Sequence, residues 1–266
     1  MADFQEKISA LASFKEKAII KVATLGQFKV WRNGEAISSK AWGRDKTIQL
    51  FEFLIANRHR KSLHKELIMD QLWEDADDRD FKVAMHGINK ALEPDRPART
   101  EPAFIIRQGV SYQLDLEKIW IDVEAFEQLI IIGNNAINED KESAILAYQN
   151  AIDLFEGMFL PNRIYEDWPA EERERTQVLI LNTNISLAEL LIDVNPTESI
   201  RLTQNAIAID PCWEDAYRVQ MQAYQAKGNR PQAIKTYKTC VDILDKEYGI
   251  SPLPETNLLL EEIKKA

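Results

Sequence analysis

Four polar side chains in one short stretch have the chemistry and the spacing needed to bind a nucleic acid. The stretch is Arg79-Asp-Phe-Lys-Val-Ala-Met-His-Gly-Ile-Asn-Lys-Ala-Leu92. If it is a helix, its apolar residues fall on one side. The opposite face then carries Lys82, His86, Asn89 and Lys90. Their ammonium, imidazole and amide groups are suited to phosphates and base edges in a DNA major groove. The alternative explanation is an ordinary amphipathic helix with a solvated face.

Patterns typical of catalysis or metal binding are missing from the sequence. It contains no phosphate-binding glycine loop, no HExxH and no GxSxG. The three histidines, His59, His64 and His86, lack metal-ligand spacing. The paired carboxylates Glu171-Glu172 and Glu261-Glu262 are typical of solvated helix faces. We therefore expect no enzyme activity, no metal site and no cofactor.

The charge of the chain is unevenly distributed. The 266 residues include 33 Lys and Arg and 43 Asp and Glu, a net charge of −10. Residues 1–117 hold 19 bases and 18 acids, a net +1, and residues 118–266 hold 14 and 25, a net −11. The nearly neutral first part can bind phosphates only where its bases cluster. The acidic second part should repel DNA and is better suited to protein contacts.

Other sequence features favour a cytoplasmic protein. No apolar run approaches the roughly 20 residues of a membrane span, so no membrane partner is expected. The N-terminal residues do not resemble a secretory signal. Cys212 and Cys240 lie 28 residues apart without a CxxC motif. They are typical of small apolar packing residues in a reducing compartment.

Strand and helix signals alternate in the first part of the chain. A helix is predicted over residues 4–18. Three interpretations of this helix are open: a dimer contact, the remainder of an upstream domain, or a frayed end of the chain. Three short antiparallel strands are predicted at about 19–24, 27–31 and 35–38, with a turn at Asn33-Gly34.

Two further helices and a hairpin complete this part. Asp45 is predicted to cap a helix that ends near Asn57. A second helix is expected over 64–73, and the acidic turn 74–78 leads into the helix that contains Lys82. A hairpin follows at 104–114, turning at Gln108-Gly109.

This order of elements, together with four local motifs, resembles the OmpR/PhoB-type winged-helix DNA-binding domain over about residues 19–116. The motifs are Thr24-Leu-Gly-Gln-Phe-Lys-Val30, Leu72-Trp73, Ile88-Asn-Lys-Ala-Leu92 and Ile106-Arg-Gln-Gly-Val-Ser-Tyr-Gln-Leu114. The sequence departs from the family where Gly87, Ile88 and Asn89 replace an Arg-Leu-Arg-like ending. A helical Gly87 should also cost about 1 kcal/mol relative to alanine.

The resemblance implies that the third helix enters the major groove and that the hairpin, the wing, reaches the neighbouring minor groove. Residues implied to face the major groove are Lys82, His86, Asn89 and Lys90. Those implied on the wing are Arg107, Gln108 and Ser111. Those implied to lie against backbone phosphates are Lys46, His64 and Lys65.

The second part of the chain repeats a helical pattern. Ala233, Tyr237, Cys240 and Val241 align 34 residues earlier with Ser199, Thr203, Ala206 and Ile207, and a further 55 earlier with Ala144, Tyr148, Ala151 and Ile152. A period of 34 is that of tetratricopeptide repeats. We predict three helix pairs in which small residues allow close helix contacts.

Several strings in this part resemble the bacterial transcriptional activator domain over about 118–265. They are Ile121-Asp-Val-Glu-Ala-Phe-Glu127, Phe155-Glu-Gly-Met-Phe-Leu-Pro161, Glu166-Asp-Trp168, Asp210-Pro-Cys-Trp-Glu-Asp-Ala-Tyr217 and Leu244-Asp-Lys-Glu-Tyr-Gly-Ile-Ser-Pro252. The resemblance implies a pathway-specific activator that binds direct repeats in double-stranded DNA and contacts RNA polymerase. We expect DNA binding to need a homodimer, a tandem site or a partner. The acidic residues implied to contact the polymerase are Glu74, Asp75, Asp77 and Asp78. A small molecule or peptide could bind the repeat domain as effector.

The predicted fold is mainly α with a small β part. It has an N-terminal helix or linker at 1–18, a winged helix (α+β) at 19–117 and an all-α tetratricopeptide-like domain at 118–266. The alternative to an activator is a protein-interaction scaffold, or the output module of a larger signalling protein, with weak or no DNA binding. The sequence leaves open the target promoter, the activating signal, the oligomeric state and whether the chain is full length.

Overall fold

A computed structural model describes residues 2–73 and 77–265. Contacts divide the chain into two compact units that are discontinuous in sequence. We call Glu6–Phe126 together with Leu154–Thr176 the winged-helix unit. The repeat unit comprises Met1–Gln5, Glu127–Asp153 and Gln177–Ala266. The domain boundary predicted between residues 117 and 118 does not coincide with the boundaries of these two compact units.

The elements of the first part of the chain largely match the sequence prediction. The helices are α1 (Ala2–Lys17), α2 (Ser39–Trp42), α3 (Asp45–Ala56), α4 (Lys65–Leu72) and α5 (Asp78–Leu92). The strands are β1 (Ile20–Ala23), β2 (Lys29–Arg32), β3 (Glu35–Ala36), β4 (Leu63–His64), β5 (Ile105–Gln108), β6 (Ser111–Leu114) and β7 (Ile119–Ile121). The short elements α2, β4 and β7 were missed by the prediction.

One sheet of the winged-helix unit combines strands that are far apart in sequence. Its order is β3-β2-β1-β7. β1 pairs antiparallel with β2, placing Ile20 opposite Arg32, and parallel with β7, placing Ile20 opposite Ile119. Trp120 belongs to the segment 118–266 that was predicted to be all-α, and that prediction was wrong at this position, because Trp120 lies in β7. The 117/118 boundary therefore separates β7 from the sheet to which it belongs.

The start of the next helix, α6 (Asp122–Ala136), is fixed to the end of β1. The Asp122 carboxylate accepts hydrogen bonds from the backbone N–H groups of Thr24 (2.7 Å), Leu25 (3.0 Å) and Val123 (2.7 Å). It also accepts one from the Thr24 hydroxyl at 2.6 Å. Burial raises the pKa of Asp122, and these four bonds act in the opposite direction. The Thr24-Leu25 motif thus supplies donors for a carboxylate 98 residues away.

The helices of the winged-helix unit share an apolar core. Phe51 of α3, Ile68 of α4 and Phe81 and Ile88 of α5 are all buried. Asp45 does not cap α3 as predicted, because the N-cap is Arg44, and Asp45 lies in the first turn. The Asp45 carboxylate binds another part of the chain instead.

The second sheet forms the predicted hairpin, with the order β4-β6-β5. β5 and β6 pair antiparallel, with Arg107 opposite Tyr112 and Gln108 opposite Ser111. Gly109 lies at the turn with a φ of +62°, in the left-handed region that favours glycine. β4 adds His64 on the other side of Ser111.

The repeat unit is helical, as predicted. Besides α6, its helices are α7 (Lys141–Leu154), α8 (Ala170–Leu191), α9 (Pro196–Ile209), α10 (Glu214–Ala226), α11 (Arg230–Tyr248) and α12 (Pro254–Lys265). The aligned small residues lie in α7, α9 and α11, and are fully buried: Ala144, Ala151, Ser199, Ala206, Ala233 and Cys240. Burial raises the pKa of the Cys240 thiol to about 12, in keeping with a packing role.

Candidate nucleic-acid interface

Helix α5 presents a basic side to solvent. The Asp77 carboxylate caps it by accepting from the N–H groups of Arg79 (2.7 Å) and Asp80 (3.1 Å). Lys82, His86 and Lys90 are exposed, as predicted. Arg79 is also exposed, one turn before Lys82, and was not among the predicted DNA-binding residues. Its spacing of three residues from Lys82 places the two side chains on neighbouring parts of the helix surface and would have identified Arg79.

The glycine inside α5 has a packing role. A Cβ atom at Gly87 would lie 2.8 Å from Cγ2 and 2.9 Å from Oγ1 of Thr47, which is itself buried in α3. α5 therefore approaches α3 more closely than any larger residue at position 87 would allow. This contact explains why the sequence lacks a long basic side chain at position 87. It also seats α5 against the core of the winged-helix unit.

The predicted exposure of Asn89 was wrong. Its side chain is only 9% exposed, and its Oδ1 atom has no hydrogen-bond partner among the residues that the structure describes. Asn89 lies at the edge of the polar side of α5 and lines the space between α5 and the hairpin, together with Glu101, Pro102 and Arg107. Any part that Asn89 takes in DNA binding remains a prediction.

The hairpin carries its basic residue next to α5. Arg107 Nε donates to the Gly109 carbonyl at 2.9 Å, and the guanidinium lies over the Tyr112 ring, 5.8 Å from its centroid. The Tyr112 ring in turn packs on Phe81 of α5, with centroids 5.1 Å apart. Gln108 is exposed beside Arg107, and Ser111 is half-buried.

A groove of about 240 Å³ separates α5 from the hairpin. Apolar side chains, including Phe81 and Tyr112, form part of its lining. Four of the predicted DNA-binding residues also line it: Lys82, His86, Asn89 and Arg107. The fold therefore brings together residues from two separate predicted elements, α5 and the wing.

The three residues predicted to bind backbone phosphate contact protein groups. Lys46 is half-buried, donates from Nζ to the Leu72 carbonyl and lies over the Trp73 ring. Lys65 pairs with Asp78, and its side chain is 18% exposed. His64 Nδ1 accepts from the Glu66 N–H at 3.3 Å and so caps α4. Of the three, His64 is the most exposed.

The acidic turn divides into two parts. Glu74 and Asp75 lie outside the described residues. Asp77 caps α5, and Asp78 binds Lys65 and approaches Lys82 at 3.5 Å. The hydrogen bond from Lys65 holds the pKa of Asp78 below its usual range. Asp77 and Asp78 therefore have structural roles in the winged-helix unit.

None of the helices in the described parts of the chain combines the length and apolar character needed to cross a membrane.

Comparison with known proteins identifies two that are similar over most of this chain. The regulatory protein AfsR of Streptomyces coelicolor is 22% identical over 264 residues, which are 96% of this chain and 25% of AfsR. The structure of Mycobacterium tuberculosis EmbR, solved in complex with a low-affinity phosphopeptide, superposes with a TM-score of 0.79 at 18% identity. That match covers 94% of this chain and 66% of EmbR. The chain thus spans about a quarter of AfsR and about two thirds of EmbR.

The EmbR match shows that the winged helix followed by helical repeats is an established fold. The family model for the bacterial transcriptional activator domain matches residues 121–264, more than half of the 266 residues. The chain therefore belongs to the bacterial transcriptional activator domain family, and its N-terminal part has a winged-helix fold.

Proposed function

We propose that this protein is a sequence-specific DNA-binding transcription activator. α5 enters the major groove, and the β5–β6 hairpin reaches the adjacent minor groove. The observation that carries the proposal is the surface formed by the exposed side of α5 and the neighbouring Arg107. We call this surface, with Arg79, Lys82, His86, Lys90 and Arg107, the basic face. It belongs to a chain of an activator family, which supports regulation of transcription as its use.

The charges predict moderate, salt-sensitive binding. The bases of the basic face neutralise phosphates and release counterions, so affinity falls as salt rises. Lys46 and Lys65 contribute less than the sequence implied, because both already bind protein acceptors. We therefore propose that two copies bind direct repeats as a homodimer, which compensates for a modest contact from each winged helix.

The repeat unit serves protein contacts in this proposal. Its acidic character disfavours DNA and suits basic surfaces of RNA polymerase or of a regulatory partner. A peptide or small molecule that binds the repeat unit would act as the effector.

A duplex-binding titration tests the proposal. A preferred sequence is first selected from random duplexes with the full chain, and its affinity is then measured by fluorescence anisotropy at low and high salt. The Lys82→Ala/Lys90→Ala variant should bind more weakly. The Lys235→Ala/Lys238→Ala variant, which removes the same charge from α11, should bind like the wild type. Undetectable binding by the wild type at low salt would refute the activator proposal.

The polymerase contact is tested separately. Replacing all four acidic residues would confuse two effects, because Asp77 caps α5 and Asp78 binds Lys65. The informative variant is Glu74→Ala/Asp75→Ala. It should keep wild-type DNA affinity and lose activation in a reconstituted transcription assay. Normal activation by this variant would remove Glu74 and Asp75 from the proposed contact.

The second candidate function is a protein-interaction scaffold with little DNA binding. It is favoured by the engagement of Lys46 and Lys65 and by the near-neutral charge of residues 1–117. The two functions differ in salt response. A DNA-binding activator shows measurable affinity for a selected duplex that falls steeply with salt, whereas a scaffold shows weak or no affinity for duplex even at low salt.

A further inference from the structure

A segment from the activator-domain part of the sequence is built into the winged-helix unit. We call residues 155–169, which connect α7 and α8, the strap. The strap's Met158 carbonyl accepts from the Gly26 N–H at 3.0 Å, and its Leu160 N–H donates to the Thr24 carbonyl at 2.8 Å. Phe159 and Leu160 are fully buried. The strap therefore packs as an internal part of this unit.

The strap also holds α3 through Arg163, which contacts Asp45 in the first turn of the helix and Glu52 in its second half. Its Nη1 and Nη2 atoms donate to the two oxygens of Asp45 at 2.9 and 2.8 Å, and its Nε donates to Glu52 at 2.6 Å. Asn162 donates to the other Glu52 oxygen at 2.6 Å. The Glu52 side chain is fully buried and that of Arg163 is 11% exposed. Such bidentate, charge-assisted bonds are strong and fix geometry.

The N-terminal half of α3, which contains Asp45, also packs against α5, the helix proposed to read DNA. Thr47, two residues after Asp45, is the residue against which Gly87 of α5 packs with no room for a Cβ atom. A shift of α3 at Asp45 would therefore change the position of α5 against the core. Interactions run continuously from Arg163 to Asp45, along one half-turn of α3 to Thr47, and across to Gly87. Lys90 and His86 lie within one turn of Gly87 on the basic face.

We propose that Arg163 is a positioning residue for DNA recognition: it orients α5 by holding α3, without touching DNA itself. This inference rests on the proposed DNA-binding function. It assigns to a residue of the activator-domain sequence a role in the affinity of the winged helix. Any protein or ligand that displaced the strap would loosen α5, so the Arg163 contact offers a route for regulation of DNA binding.

Two variants of the full chain test this role. Arg163→Ala removes all three contacts, and we expect roughly tenfold weaker binding to the selected duplex, within the usual range of coupling between sites. Because Arg163 is not a phosphate contact, the salt slope should not change, whereas loss of a phosphate contact lowers it by about one. Arg163→Lys, which keeps the charge and loses the bidentate geometry, should fall between wild type and alanine. Arg201→Ala, which breaks an exposed ion pair with Glu198, is the matched control.

Asp45→Asn separates positioning from general electrostatics. Asp45 is largely exposed, so this near-isosteric variant should fold even if Arg163→Ala does not. Removal of a negative charge from a protein that binds an anionic duplex would by itself strengthen binding, whereas weakened positioning lowers affinity. We expect weaker binding, with faster hydrogen exchange of the α5 amides in Asp45→Asn and Arg163→Ala but not in Arg201→Ala.

The outcomes distinguish this inference from the proposed function. If the wild type binds DNA and both Asp45→Asn and Arg163→Ala bind equally well, the positioning role is refuted and DNA binding stands. If the wild type binds no DNA, the proposed function fails. Hydrogen exchange then decides whether Arg163 orients α5, and unchanged α5 exchange in both variants overturns the inference.

Discussion

At the scale of single residues, helical periodicity predicted the exposure of Lys82, His86 and Lys90, but neither the burial of Asn89 nor the contacts of each side chain. Lys82, His86 and Lys90 are exposed because they lie opposite the apolar stripe. Asn89 lies about 60° from the centre of that side, where a neighbouring element decides its burial. The acceptor for Lys46 is a carbonyl of α4, and no local pattern identifies such a partner.

Lys90→Ala should weaken binding to selected and random duplexes by a similar factor. Lys90 is an exposed cation, and a phosphate contact carries no sequence information. The salt slope should decrease by about one, measured by anisotropy at several salt concentrations. Lys238→Ala, an exposed lysine of the repeat unit, is the control. A loss confined to the selected duplex would indicate base contact instead.

Gly87→Ala should destabilise the protein although alanine favours helices. The gain of about 1 kcal/mol in helix propensity is outweighed by overpacking against Thr47, which typically costs about 1–3 kcal/mol. The urea midpoint should fall. Thr47→Ala in the same chain removes both atoms that the new methyl group would meet, so the double variant should recover stability. Additive losses in the double variant would contradict the proposed close contact.

At the scale of elements, the long helices and the hairpin could be predicted because their signals are local. The 3.6-residue period, the Asn33-Gly34 turn and the turn at Gly109 each lie within one element. β7 could not be predicted, because a three-residue strand becomes one only by pairing with β1, about 100 residues earlier. The strap also depends on a partner that is distant in sequence, because its buried residues contact the loop after β1. Neither the sequence of the strap nor that of the loop reveals this contact by itself.

Asp122→Ala should cost about 3 kcal/mol of unfolding free energy. It leaves the buried N–H groups of Thr24, Leu25 and Val123 without their acceptor. Asp122→Asn keeps one acceptor oxygen and should cost less. Urea denaturation of the full chain measures both, with exposed Asp242→Ala as control. Equal stability of Asp122→Ala and wild type would show that these four bonds contribute nothing net.

At the scale of the whole molecule, the sequence families and the compact units do not coincide. The activator-domain match begins at residue 121, whereas the winged-helix unit extends to Phe126 and includes Leu154–Thr176. The start of the family match is set by sequence similarity to other members of the family. A compact unit depends on which side chains are buried together, as Glu52 and Arg163 are.

A fragment of residues 19–117 should therefore fail to fold cooperatively. It lacks β7, Asp122 and the strap, and its buried Glu52 and Arg58 lose their partners Arg163 and Glu172. Circular dichroism during thermal unfolding should show no sharp transition. A fragment of residues 6–176, which keeps all these partners, should regain one. Cooperative unfolding of the shorter fragment would show that the strap is dispensable.

The paired glycines Gly26 and Gly157 have a consequence for inheritance. A Cβ atom at Gly157 would lie 3.1 Å from the Gly26 Cα, and one at Gly26 would lie 2.8 Å from the Glu156 carbonyl carbon. Genetic recombination that joined this N-terminal segment to a foreign activator domain at residue 117 would preserve both reading frames but separate the glycines. A donor with a larger residue at the position of Gly157 would place a Cβ atom 3.1 Å from the Gly26 Cα, so a hybrid with glycine at both positions should fold better than one without. The two segments should therefore be inherited together.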